Sequence, residues 1–313
     1  MRRIDLLIKE ARTETDNLQF TDDAGIKDSE FLRWANSAQT RITSLIQQAH
    51  PDLFQRETII SAVTNQEEYS IPAKTFLGTR VQMVEYSITG QAVNYYPLKK
   101  GNLHERVNGP SGNPAFYIRF STKFLVQPAP QSGGSFRVIT QLALPRLDLR
   151  RAVVSAAVLD GTTKTITSLT LDTTQSIDDQ EIREEAYITI VDKDGNILME
   201  GIPVDDVNTT TGLVTVSAGF SYQTGETIPS GSYVCLGSYS TTHSSLPEVA
   251  ERYLVDFMVW KLEKRDSNQT SQEINQEIKE QEMEIVDSFS LPDDDVSYVA
   301  ILDPQYLDTD DNR

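Results

Sequence analysis

Asp192-x-Asp194 is where two side chains of this chain fall at a spacing that could hold a metal ion. Alternating carboxylates open calcium loops, but that pattern needs a glycine at position six and a glutamate at position twelve. Here the glycine, Gly195, stands at position four, and Asp192-Lys-Asp-Gly-Asn196 reads as a hairpin turn between two strands. The histidines, His50, His104 and His243, lie in different segments, and none is spaced as a metal pair. His50 precedes a helix-ending proline and His243 sits in a Ser/Thr run, so both read as surface or capping residues. Ser111 in Gly-Pro-Ser-Gly has no base near it in sequence, and neither a G-x-S-x-G elbow nor a phosphate-binding glycine loop occurs. The carboxylate pairs Asp178-Asp179 and Asp293-Asp294-Asp295 lie in polar loops, whereas a glycosidase acid needs a pocket that raises its pKa. Cys235, the single cysteine, sits in Tyr233-Val-Cys-Leu236 and reads as a small hydrophobe, which excludes an intrachain disulfide framework. The sequons at Asn208 and Asn268 read as chance matches. These residues assign no catalytic, cofactor or metal site, and the chain reads as a non-enzyme.

The elements around them say more. The chain has 313 residues, 38% of them apolar, which is enough for about two domains with sizeable cores. No stretch is apolar enough to span a membrane and nothing resembles a signal peptide, so a soluble product assembled in a reducing cytoplasm is expected. Ile4, Leu7, Ile8 and Ala11 space an amphipathic helix over residues 2–16. A second helix is expected from Asp28, as N-cap, to Pro51, with Phe31, Trp34, Ala35, Ala38, Ile42, Leu45, Ile46 and Ala49 on its inner face. From Arg56 to Leu147 the period falls to two, with strands expected at Thr58–Val63, Glu68–Ile71, Arg80–Tyr86 and Ala92–Tyr96. Residues 150–237 carry further Val-, Ile- and Thr-rich runs and read as a second β unit inserted into the first. The chain then returns to helix at a capping box, Ser245 to Glu248, followed by Tyr253, Leu254, Phe257 and Trp260.

The expected fold class is therefore α+β: a helical bundle from the N-terminal helices and a long C-terminal helix, packed with an antiparallel β-sandwich or barrel, plus an inserted second β domain. The expected boundaries are 1–56 for the N-terminal helices, 57–149 for the β-sandwich core and 150–237 for the inserted domain. Residues 238–290 complete the bundle and 291–313 form an acidic tail.

Net charge is −18, and residues 266–313 hold 14 acidic side chains against Lys279 and Arg313, a net of −12. Affinity for nucleic acid comes mostly from neutralised phosphates, so such a chain is a poor binder of DNA. The acidic end reads either as a solvated tail or as a repulsive surface past which DNA slides. Ile274, Ile278, Ile285 and Phe289 mark a narrow stripe on an otherwise charged helix, suited to one neighbour. Tyr298, Ile301, Leu302, Tyr306 and Leu307 are scattered through the Asp-rich end. These nine are the candidate partner-binding residues. On this reading, replacing Ile278 and Ile285 with Asp leaves the β units folded and breaks a contact with a partner.

Four features together resemble the head-to-tail adaptor, or connector, proteins of tailed bacteriophages. Phe31-Leu-Arg-Trp34 with Ala38 resembles that family's opening helical pair. Pro114-x-x-Tyr117 followed by Pro128-Ala-Pro130 resembles its sheet signature, and Phe136 to Leu147 its closing strand. The Leu246-Pro247 helix with Tyr253 and Trp260 resembles its long C-terminal helix. The likeness covers residues 1–147 and 238–290; residues 148–237 depart from it. The resemblance implies a homo-oligomeric ring, a dodecamer, within the virion. Such a ring docks on the portal protein, extends the DNA channel without specific DNA binding, and receives tail, nozzle or fibre proteins. It implies assembly in the host bacterial cytoplasm and no membrane partner. The β insert keeps open another neck, tail-completion or fibre-attachment role, and a carbohydrate-active virion enzyme is the remaining alternative.

Overall fold

The computed structural model describes residues 2–15, 26–51, 53–78, 80–88, 94–106, 110–159, 166–177, 182, 186–216, 228–267 and 272–289. Helices α1 (Ile4–Glu14) and α2 (Asp28–Ala49) open the chain, and α3 (Glu248–Ser267) and α4 (Gln272–Ser288) close its described part. All four share one buried cluster, with Ile4, Leu7, Phe31, Ala35, Ile42 and Ile46 meeting Tyr253, Leu254, Phe257, Ile278 and Ile285. The expected inner faces of α1 and α2 are the buried ones except at two positions: Leu45 is only half-buried against the same cluster, and Ala49 in the last turn is exposed. Asp28 is not the N-cap of α2: Lys27 holds that position and makes no side-chain cap. Asp28 instead lies in the first turn, where the helix dipole favours a carboxylate, and pairs with Arg12 of α1 at 2.5 Å. The C-terminal helical region is two helices, and residues 268–271 between them lie outside the described set.

Between α2 and α3 the chain builds two β units. The first has two four-stranded sheets. One runs β1-β8-β3-β4, made of β1 (Gln55–Ala62), β3 (Val81–Ser87), β4 (Tyr96–Pro97) and β8 (Gly134–Gln141). The other runs β2-β7-β6-β5, made of β2 (Glu68–Ser70), β5 (Lys99–Lys100), β6 (Phe116–Phe120) and β7 (Lys123–Gln127). Their facing residues form one cluster around Tyr69, Val84, Tyr86, Tyr117, Phe124 and Phe136, with the Tyr69 and Phe136 rings 4.8 Å apart, edge to face. The strand expected at Ala92–Tyr96 is seen only as Tyr96–Pro97, because residues 89–93 lie outside the described set.

The second unit is a closed six-stranded barrel: β10 (Ala152–Leu159), β11 (Ile166–Leu171), β14 (Leu213–Val216), β13 (Ile197–Asn208), β12 (Tyr187–Val191) and β15 (Tyr233–Leu236), in that order around the wall. Closure pairs β10 with β15 and leaves no strand edge. The 12-residue β13 serves two neighbours: its first half pairs with β12 and its second with β14, the pairing with β14 shifting register between Val204 and Asp206. Its core, Val154, Leu169, Ile188, Ile190, Met199, Ile202 and Val234 among others, is separate from the other two clusters.

The barrel does not interrupt the first β unit. It follows β8, hanging between β9 (Arg146–Leu147) and β16 (Ser240–Thr241), which pair with each other in parallel. The closing strand expected over Phe136–Leu147 is thus two pieces, β8 and β9, with Pro145 between them. Polar side chains of α2 hold the intervening backbone. Asn36 donates to Leu147 O at 2.9 Å and accepts from Leu147 N at 2.9 Å, Gln39 donates to Pro145 O at 2.8 Å, and Gln47 donates to Leu142 O at 3.1 Å. Around Pro145 these carbonyls have no strand partner, and the amides of α2 supply one.

Candidate assembly surface

The candidate partner-binding residues are brought together only in part. Ile278 and Ile285 are buried in the chain's own bundle, 6% and 3% exposed, and Phe289 is half-buried on the same cluster. A narrow apolar stripe fits one neighbour, and here that neighbour is the chain's own helical bundle. The side chain of Ile274 and the whole of Tyr298, Ile301, Leu302, Tyr306 and Leu307 lie outside the described residues.

A polar network locks α4 in this position. Glu282 falls on the apolar stripe, between Ile278 and Ile285, and is buried. Its Oε1 lies 2.6 Å from Arg41 Nε, and its Oε2 accepts from Arg41 Nη2 at 2.9 Å. The Tyr253 hydroxyl, fully buried on α3, donates to Glu282 Oε1 at 2.5 Å. Burial, followed by the Glu282 carboxylate, pushes the Tyr253 hydroxyl far above the usual tyrosine pKa, so it acts as a fixed donor. Trp260 Nε1 donates to Asn275 Oδ1 at 3.1 Å, and His50 Nε2 donates to Val286 O at 3.0 Å.

What α4 shows outward is mostly charge, with Met283 among it. Glu277, Lys279, Glu280, Met283 and Glu284 are exposed. A cleft of about 510 Å³ runs between α3 and α4, walled by Trp260 and by the carboxylates of Asp256, Glu263, Glu277, Glu280 and Glu284. Such a surface repels phosphate backbones and suits a basic partner.

The barrel is keyed to the bundle where α1 begins. Ile4 N donates to Thr242 O, Ser244 N donates to Arg2 O, and Thr241 Oγ1 donates to Gly195 O of the barrel hairpin at 2.8 Å. Gly195 has φ +90°, and a Cβ there would sit 2.5 Å from His243 Cβ, so only glycine fits. The Asp192 carboxylate caps its own hairpin, accepting from Asp194 N and from the backbone and side-chain N–H groups of Asn196. His243 is therefore a junction residue, 6% exposed, rather than a surface one. Burial, then Arg3 and the chain's amino terminus, lower its pKa against the opposing pull of Asp192 and Asp194.

A histidine whose folded pKa lies below its unfolded value of about 6.5 takes up protons more readily when unfolded. Its contribution is complete above that value and is lost as pH falls through it toward the folded pKa. Thermal unfolding at about pH 5.5 should give a lower Tm than at about pH 7.5, and His243→Gln should shrink the difference. An unchanged difference in that variant would remove His243 as the cause.

Among the described residues no group of three or more His, Cys, Asp or Glu side chains could hold a metal, and no helix is long and apolar enough to cross a membrane. Cys235 is fully buried in the barrel wall, and burial raises its thiol pKa well above the ordinary value. His104 is exposed on a short turn, Leu103–Glu105.

Sequence reasoning missed the Arg41–Glu282–Tyr253 network and the amide face of α2. A signal for the first was present: Glu282 is four residues from Ile278 and three from Ile285, which places a carboxylate on the apolar face.

Residues 3–150 match the family described as SU10 adaptor protein, in agreement with the likeness to phage head-to-tail adaptors over that region. The match ends at residue 150, just before the barrel begins at Ala152. No curated protein sequence matches the chain.

Proposed function

We propose, taking the SU10 adaptor family as the premise for residues 3–150, that this chain is a structural head-to-tail adaptor of a tailed phage particle. Many copies form a ring, a dodecamer, that docks on the portal protein, extends the DNA channel and receives the tail. The observation that carries this reading is the family match, which spans α1, α2 and both sheets of the first β unit. The physics of the surface agrees with it. The described outer face of α4 is acidic, and like charge keeps a passing genome from adhering. The role is one of binding and shape, with no catalytic step.

The test is assembly. Purified protein mixed with its cognate portal ring is expected to form a coaxial two-tier particle visible by electron microscopy. A chain that stays monomeric and ignores portal at all concentrations would overturn the reading. The barrel favours a second one, attachment of a fibre or another outer tail protein. That reading requires density for the chain outside the tube, away from the portal.

A further inference from the structure

Residues 86–147 hold seven Lys and Arg side chains against the single acid Glu105, a net of +6 within a chain of −18. The strands put part of this charge on one surface. Lys99 stands opposite Phe116 and Lys123 opposite Phe120, and alternation gives Phe116 and Phe120 one side of β6. Tyr117, between them in phase, faces the cluster shared with the first sheet, so Lys99, Phe120 and Lys123 share the side turned away from it. Phe120 is 50% exposed, and Leu103, on the turn packed against β6, is 48% exposed. Lys123 pairs with Glu68 and Arg106 with Glu67. Lys99 and Lys100 are exposed and have no anionic partner among the described residues.

We infer that this basic, partly apolar surface docks against the acidic cleft between α3 and α4 of a second copy of the chain. The inference rests on the reading that many copies assemble, and it adds which surfaces meet. The cleft carries the complementary features. Val259, Trp260 and Ile278 line it and offer apolar contact to Phe120 and Leu103. Glu277, Glu280 and Glu284 line it as well, and Glu277 and Glu284 have no cationic partner among the described residues. Unpaired cations on one surface thus match unpaired carboxylates on the other.

Two points favour another copy as the occupant. Within one chain α4 packs on α2 and α3, while β5 and the Leu103–Glu105 turn pack on β6, and no ion pair among the described residues joins the two surfaces. A surface and its complement on different faces of one chain satisfy each other head to tail between neighbours, and such contacts close into a ring when the rotation permits. Nucleic acid is the other polyanion to weigh. A phosphate track is held by cations that are free to neutralise it. Here Glu67 and Glu68 stand among the cations beside two exposed apolar side chains, a mixture that fits a protein surface better.

Charge exchange on the full chain tests it. Lys99→Glu with Lys100→Glu makes one variant, and Glu277→Lys with Glu284→Lys the other. All four side chains are exposed, so both variants should keep the far-UV circular dichroism and Tm of the unchanged chain. Sedimentation velocity should show the unchanged chain self-associating and each variant alone weakened at least about tenfold, because like charges then face each other. An equimolar mixture of the two should associate again, since each altered surface then finds its complement on the other variant. The inference is overturned by an unchanged chain that is monomeric at every concentration, by a variant that associates undiminished, or by a mixture that stays dissociated. A Lys99/Lys100 variant that assembles normally but loses binding to duplex DNA would assign the surface to nucleic acid instead. Rings formed on portal by either variant alone would end this pairing and leave the adaptor reading standing.

Discussion

Ile278→Asp combined with Ile285→Asp is expected to unfold the helical bundle, not merely to weaken a contact with another molecule. Both side chains lie in the cluster shared by the four helices. Each loses roughly 1.5–3 kcal/mol of apolar burial, and each aspartate adds the cost of a charge held away from water. Two sites two helical turns apart lose nearly the sum of their single effects. The total is comparable with the whole stability of an ordinary domain, about 5–15 kcal/mol. Far-UV circular dichroism should show loss of helix while the barrel and the first β unit, which have their own clusters, keep their strand signal. Full helicity with an unchanged melting temperature would show that α4 is not held as described. The milder Ile278→Ala should cost about 2–5 kcal/mol.

Glu282→Ala tests the lock on α4 separately from its packing. The change removes the acceptor of the buried Tyr253 hydroxyl and the counter-charge of Arg41. Arg41 keeps 44% of its side chain exposed and can turn to water, so its share is small. The stranded hydroxyl is the larger loss, and the expected cost is about 2–4 kcal/mol in urea unfolding. Glu282→Leu with Tyr253→Phe should recover most of it, because removing both polar partners leaves nothing unsatisfied. A cost below about 0.5 kcal/mol for Glu282→Ala would mean the network contributes nothing to holding the helix.

These two outcomes show where the sequence was legible. The periodicity of Ile4-Leu7-Ile8-Ala11 and of Phe31 through Ile46 identified helix faces correctly, because both follow a 3.6-residue repeat with one apolar side. Strands such as Leu213–Val216 were readable from β-branched runs alone. What could not be read was which molecule a face meets. The stripe at Ile278 and Ile285 looks the same whether its neighbour is another copy or α2, since periodicity records amphipathicity and not identity. The break of Phe136–Leu147 into β8 and β9 was also hidden. Pro145 cannot donate to a ladder, and the carbonyls left over at the break are taken up by amides of α2 at Asn36, Gln39 and Gln47, about 100 residues away in the chain. His243 was misread for a similar reason: a Ser/Thr run looks exposed until α1 and the barrel hairpin close over it.

The parallel pairing of β9 with β16 has an evolutionary consequence. Two antiparallel strands can be joined by a tight turn, but parallel neighbours require a crossover of about a dozen residues or more. A shortened descendant therefore cannot simply delete residues 148–239 and seal the gap while keeping Ser240 against Arg146. The socket must always hold a connection of at least that length. A chain with the frame of residues 3–150 can therefore exchange that connection for another of sufficient length, but it cannot dispense with it while keeping the β9–β16 pairing.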